Sequence, residues 1–209
     1  LIQTLVDNSK VPFILDGDGN VHLYIHEDAK KENILDIVIN SKVQRPGVCN
    51  ALETLLINSK IYQDMGSQII EELLENDVEL FVDAKIKEDY PNLNLANNLH
   101  YETEFLELKL AVKLVENDSQ AIEHIKNYSS GHTDAILTES KEVADNFAKS
   151  IDSSVIFINS STRFTDGEMF GFGSEIGIST QKLHVRGPMG LEALTNERYV
   201  VTGEGTVRK

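Results

Sequence analysis

Apolar residues along this chain switch repeatedly between a helical and a strand-like period. Leu1, Ile2, Leu5 and Val6 fall on one helical face. The short apolar run Val-Pro-Phe-Ile-Leu at 11–15 predicts a buried strand, closed by the turn-rich Asp16-Gly17-Asp18-Gly19-Asn20. Val-His-Leu-Tyr-Ile-His at 21–26 predicts a second strand. From Asp28 onward, Ile34, Ile37, Val38 and Ser41 mark one face of a helix with an Asp28 cap and Glu32 near its start, ending near Gln44. Pro46-Gly47 breaks the chain, and Val48, Ala51, Leu52, Leu55 and Leu56 then predict another helix over 48–57. That reading puts Cys49 in the first turn of a helix.

Farther along, 67–77 predicts an amphipathic helix, 78–84 a strand, and 105–117 a long alternating strand. A helix closing on Gly131 follows, then a strand at 135–138, a helix at 141–151 and a strand at 153–159. Helices alternating with short apolar strands define an α/β fold with a mainly parallel sheet. Residues 160–180 change texture: Gly167, Gly171, Gly173 and Gly177 sit among Ser, Thr and Asp, as in a loop. Residues 198–209 predict a hairpin or edge strand. The chain opens at Leu1 and runs into helical spacing with no cap before it, so it is expected to be a piece of a longer protein.

Charge and cysteine usage narrow the chemistry. A formal net charge of −15 gives no general electrostatic support for nucleic acid, and no apolar stretch is long enough to predict a membrane span. A single cysteine cannot form an internal disulfide or a multi-cysteine metal site, which suits a reducing compartment, the cytoplasm. At a helix start, Cys49 would have its thiolate favoured by unpaired N–H groups and the helix dipole, with Lys42 and Arg45 as further positive charges; the alternative is a small buried hydrophobe. The histidines, His22, His26, His100, His124, His132 and His184, show no metal-ligand spacing. The Asp16–Asn20 turn superficially resembles a calcium loop, but it runs straight into the strand at 21–26, so no metal site is expected.

The blocks VQRPGVCNALETLL, AIEHIKNYSSGHTDAI and STRFTDGEMFGFGSEIGISTQKLHVRGPMGLEAL, in this order, resemble those of the gamma-glutamyl phosphate reductase family within the aldehyde dehydrogenase superfamily. The resemblance implies an aldehyde-dehydrogenase-like catalytic domain over 21–160, a substrate loop with a C-terminal return and oligomerisation segment over 161–209, and, in 1–20, the end of a nucleotide-binding half otherwise missing. It implies NADPH-dependent reduction of L-glutamyl 5-phosphate to L-glutamate 5-semialdehyde, with Cys49 as the nucleophile. Glu104 would contact the nicotinamide ribose. Asn159, Ser161, Thr162 and Arg163 would line the substrate tunnel, Arg163 taking the α-carboxylate or the phosphate. A homo-oligomer and association with glutamate 5-kinase belong to the same implication. His132 falls in a family block without an evident chemical role. Two alternatives are a non-catalytic domain fragment and the reductase domain of a bifunctional kinase-reductase.

Overall fold

The structure, a computed structural model, describes residues 2–209; Leu1, part of the predicted apolar face, lies outside the described residues. A short helix α1 (Ile2–Asn8) leads through an extended segment to β1 (Val21–Ile25). There follow α2 (Lys31–Val43), β2 (Leu52–Asn58), α3 (Ser59–Glu75), β3 (Glu79–Val82), α4 (Ala84–Asp89), β4 (Asn94–Leu95) and α5 (Asn98–Glu102). The second half of the domain contributes β5 (Lys109–Val115), α6 (Asp118–Tyr128), β6 (Thr133–Leu137), α7 (Lys141–Ser150) and β7 (Val155–Ile158). These seven strands form one sheet in the order β4-β3-β5-β2-β1-β6-β7, parallel at every pairing. Two short antiparallel strands, β8 (Gly177–Ser179) and β9 (Gly187–Met189), pair separately. No described helix is long and apolar enough to cross a membrane.

A parallel sheet covered on both faces needs central strands buried on both sides. All five residues of β1 and all seven of β2 are buried accordingly. Leu23, Ile25, Leu55 and Ile57 pack with Ile34 and Val38 of α2 and with Ile69, Ile70 and Leu73 of α3. On the other face, Tyr24, Leu56 and Ile136 pack with Ala121 and Ile125 of α6 and Phe147 of α7. Asn117 and Ser140 cap the helices α6 and α7 through their side chains, each accepting a backbone N–H of the first turn.

Several local expectations are corrected. Residues 48–57 do not form a helix: a turn closed by the Ala51 N–H on Val48 O leads into β2. Asp28 does not cap α2, whose first turn lacks a side-chain cap; its carboxylate instead accepts from Thr138 and Glu139 at the end of β6. Residues 11–15 stay extended without a strand partner, and residues 198–209 form neither hairpin nor strand, with Tyr199, Val200 and Val201 exposed. Gly131, with φ +75°, lies two residues beyond the Ser129 cap of α6. Of the antiparallel pair β8–β9, β8 occupies the end of the stretch 160–180 expected to be loop.

Candidate active site

Cys49 sits at the amino-terminal edge of the sheet, on the turn joining α2 to β2. The segment entering β1 packs directly against it: a Cβ on Gly19 would lie 1.8 Å from the Cys49 carbonyl oxygen, so only glycine fits there. The Gly19 N–H donates to Glu104 Oε1 at 2.8 Å. Next to it, Asn20 secures the edge: its amide donates to the carbonyls of Tyr101 and Tyr128 at 2.7 and 2.8 Å, and its N–H donates to Ser130 Oγ. Glu104 is thereby held beside the cysteine turn in a half-buried loop.

The electrostatics reverse the expectation for the thiol. With no helix start beneath it, Cys49 gains no dipole from a helix N-terminus. Burial pushes its thiol up to about 11, and the carboxylates of Asp16, Glu175 and Glu104 add to the rise. Lys42 is not a helix-end charge available to the thiolate. Its Nζ lies 2.7 Å from Glu53 Oε2, and both side chains are fully buried. Burial pushes the Lys42 ammonium down and the Glu53 carboxyl up, while their contact opposes both shifts. Glu53 Oε1 accepts the N–H of Leu106, a residue in the left-handed region at φ +55°, so the ion pair ties the end of α2, the start of β2 and the Glu104 loop together. Arg45 is exposed on the cysteine turn.

The other expected residues divide by location. Arg163 lies near the thiol, where a Cys49 anion would favour its cation, and its Nε donates to Gln44 Oε1 at 2.8 Å. Ser161 and Thr162 are buried beneath the turn: the Ser41 hydroxyl donates to Ser161 Oγ, and Thr162 Oγ1 donates to the Asn50 carbonyl. Their hydroxyls anchor the segment carrying Arg163. Asn159 is at the opposite edge of the sheet, beyond β7, where its side chain pairs both ways with the Thr138 backbone at 2.9 and 2.8 Å. His132 is buried; its Nδ1 lies 2.9 Å from Thr133 Oγ1, and burial lowers its pKa to about 4, a structural setting. Sequence reasoning missed Gly19, Asp16, Glu175 and the Lys42–Glu53 pair. The glycine-rich turn at 16–20 was the one signal available for the first two. Among the described residues no group of three His, Cys, Asp or Glu side chains is arranged to hold a metal ion.

The topology and the thiol-bearing edge define the class. Over its full length the chain superposes with TM-score 0.74 on 55% of an acetylating aldehyde dehydrogenase from Geobacillus thermoglucosidasius at 16% identity, an aldehyde-dehydrogenase-like fold. No family model matches the chain. It is 49% identical over all 209 residues to gamma-glutamyl phosphate reductase of Thermoanaerobacter pseudethanolicus, and equally to that of Bacillus mycoides, covering 50% of each. The crystal structure of gamma-glutamyl phosphate reductase from Thermotoga maritima superposes with TM-score 0.94 at 46% identity over the whole chain and 50% of that protein. The chain is thus similar over its whole length to one half of these gamma-glutamyl phosphate reductases, and it spans about half the length of these relatives.

Proposed function

We propose that the protein to which this chain contributes reduces L-glutamyl 5-phosphate to L-glutamate 5-semialdehyde with release of phosphate, as its relatives' name describes, through a thioester on Cys49. The observation that carries this reading is the wedge at the amino-terminal edge: the sole thiol of the chain on a turn fixed by Gly19, with Glu104 bound to that same glycine.

Attack by Cys49 Sγ on the acyl carbon forms the C–S bond and breaks the C–O bond to phosphate, which leaves with the electron pair. The thiol proton must go elsewhere. Glu104 and Glu175, both raised by burial and both within electrostatic reach of the sulphur, are suited to accept it. Burial, with these carboxylates adding to it, keeps the resting cysteine protonated, so the nucleophile is generated when substrate is in place. The Cys49 N–H stabilises the oxyanion as the carbonyl carbon becomes tetrahedral.

When bound, a reduced nicotinamide such as NADPH would supply the hydride for the thioester carbon, and breaking the C–S bond then releases the aldehyde and returns the electron pair to Cys49 Sγ. In this chain Glu104 fits one contact of that cofactor: Oε1 accepts the Gly19 N–H, which leaves Oε2 for a ribose hydroxyl. The adenosine and pyrophosphate contacts would come from the half of the protein that this chain does not include, so the chain alone binds cofactor weakly. Homo-oligomerisation and association with glutamate 5-kinase remain parts of the same proposal.

Assay of the full-length protein tests the reading. NADPH should be oxidised with glutamyl phosphate, and NADPH should form from the semialdehyde, phosphate and NADP+. Cys49→Ser should lower either rate on the order of a thousandfold or more, because a serine alkoxide is scarcely available near neutral pH. Retention of substantial turnover by this variant would sink the thioester mechanism.

A further inference from the structure

Beside the cysteine turn, the end of α2 and the segment after β7 enclose an open cavity of about 230 Å³ lined by Asn40, Gln44, Arg163, Phe164, Asp166 and Met169. Its two charged residues are opposite in sign, and neither takes part in an ion pair among the described residues. Each is held by groups that leave its recognition end available. Gln44 holds Arg163 by Nε, so the terminal N–H groups of the guanidinium are not used. Asp166 spends Oδ1 on the N–H groups of Glu168 and Met169, at 2.9 and 3.1 Å, which leaves Oδ2.

We propose that this cavity is the subsite for an α-amino-acid head group, with Arg163 binding the α-carboxylate and Asp166 Oδ2 accepting the α-ammonium. The inference rests on the reductase reading above and specifies which end of the substrate binds where. A phosphate dianion at Arg163 would lie against the Asp166 carboxylate, whereas a zwitterion presents one charge of each sign to this pair. The guanidinium is close enough to Cys49 for their charges to interact, which suits a substrate with only two methylenes between its α-carbon and its reacting carbonyl. Phe164 and Met169 offer apolar surface for those methylenes.

Asp166 is then a specificity residue that distinguishes an aldehyde carrying an α-amino-acid head group from one lacking the amine. The test uses the full-length protein in the oxidative direction, with NADP+, phosphate and either glutamate 5-semialdehyde or 5-oxopentanoate, which keeps the carboxylate and lacks the amine. The native protein should favour the amino aldehyde in kcat/KM by about ten- to a hundredfold, the range for losing a charged hydrogen bond. Asp166→Asn preserves the Oδ1 acceptor and should abolish that preference while leaving the rate with 5-oxopentanoate within about twofold of native. Asp166→Ser, which also keeps an acceptor for the two N–H groups, serves as a second uncharged variant. An unchanged preference in both variants, or an equal loss with both aldehydes, overturns the subsite. If the native protein oxidises neither aldehyde, the reductase reading itself fails and takes this inference with it. If turnover is Cys49-dependent but indifferent to Asp166, only the subsite falls.

Discussion

At the carboxyl ends of β1 and β6, His26 lies between two carboxylates, with Nδ1 2.6 Å from Asp28 Oδ1 and Nε2 3.3 Å from Asp118 Oδ1. Tyr24 donates to the same Asp118, Thr138 donates to Asp28, and Asn159 clasps the Thr138 backbone. At the amino ends of the neighbouring strands, Cys49 has Asp16, Glu104 and Glu175 around it, and none of these carboxylates is in an ion pair among the described residues. One edge ties its carboxylates to the His26 ring, and the other leaves them without an ion-pair partner around a buried thiol. Unneutralised charge lowers stability and is retained where a ligand or a reaction uses it. Under the function proposed above, the chemistry would sit at the amino edge and the carboxyl edge would be scaffold, the reverse of the usual crevice at the carboxyl ends of an open α/β sheet.

The largest effect expected from breaking this arrangement is on stability. Lys42→Met leaves the buried Glu53 carboxylate uncompensated and should cost about 3–5 kcal/mol, measured by denaturant unfolding. The double change Lys42→Met with Glu53→Gln removes both charges while keeping an acceptor for the Leu106 N–H, and should recover most of that loss. A single variant as stable as the native protein would show that the pair is not buried in solution.

Next come the cavity and its counterpart at the far edge. Arg163→Ala should raise KM for the acyl substrate about tenfold or more with a smaller effect on kcat, because a charge that binds the unreacting head group holds ground and transition states alike. Asn159→Ala should leave both constants nearly unchanged and cost about 1 kcal/mol of stability through its two hydrogen bonds to Thr138. Equal kinetic damage from the two variants would remove the distinction between the edges.

The region hardest to read from sequence is the one that matters most. The alternation of helices and strands, the α/β class, and the elements β1, α2, α3, β5, α6, β6, α7 and β7 follow from local periodicity and turn residues. β2 does not, because Val48, Ala51, Leu52, Leu55 and Leu56 also fit a helical stripe. Glu53 and Thr54 interrupt what would otherwise be the continuous apolar run of a doubly buried strand. Glu53 is tolerated there only because Lys42, eleven residues earlier, reaches it from α2, and no local pattern announces such a partner. The same error placed Cys49 on a helix start and gave its thiol the wrong direction of shift. Residues 11–15 and 198–209 carry strand-like composition but find no strand partner in this chain. Cys49 stood out as the lone thiol after Pro46-Gly47 and Arg163 lies in a family block, whereas Glu104 came only from its position in the resemblance; the structure brings these three to one edge. Asn159 also came only from its position in the resemblance and lies at the other edge.

The smallest expected effect is a shift in the titration of Cys49, and it tests the comparison most directly. Burial and three carboxylates disfavour the thiolate, so the folded-state pKa is raised and the reactive fraction at neutral pH is lower than for a free thiol. Iodoacetamide alkylation of the folded protein, followed by mass spectrometry across a pH series, should therefore climb with a midpoint near 11. Glu175→Gln removes one of the opposing charges and should move that midpoint down, since less repulsion then meets the sulphur anion. His26→Ala at the paired edge should leave it in place, because His26 is not among the groups acting on the thiol. A native midpoint at or below that of a free thiol would mean that Cys49 is activated at rest, and that the carboxylates at the amino edge do not hold it protonated.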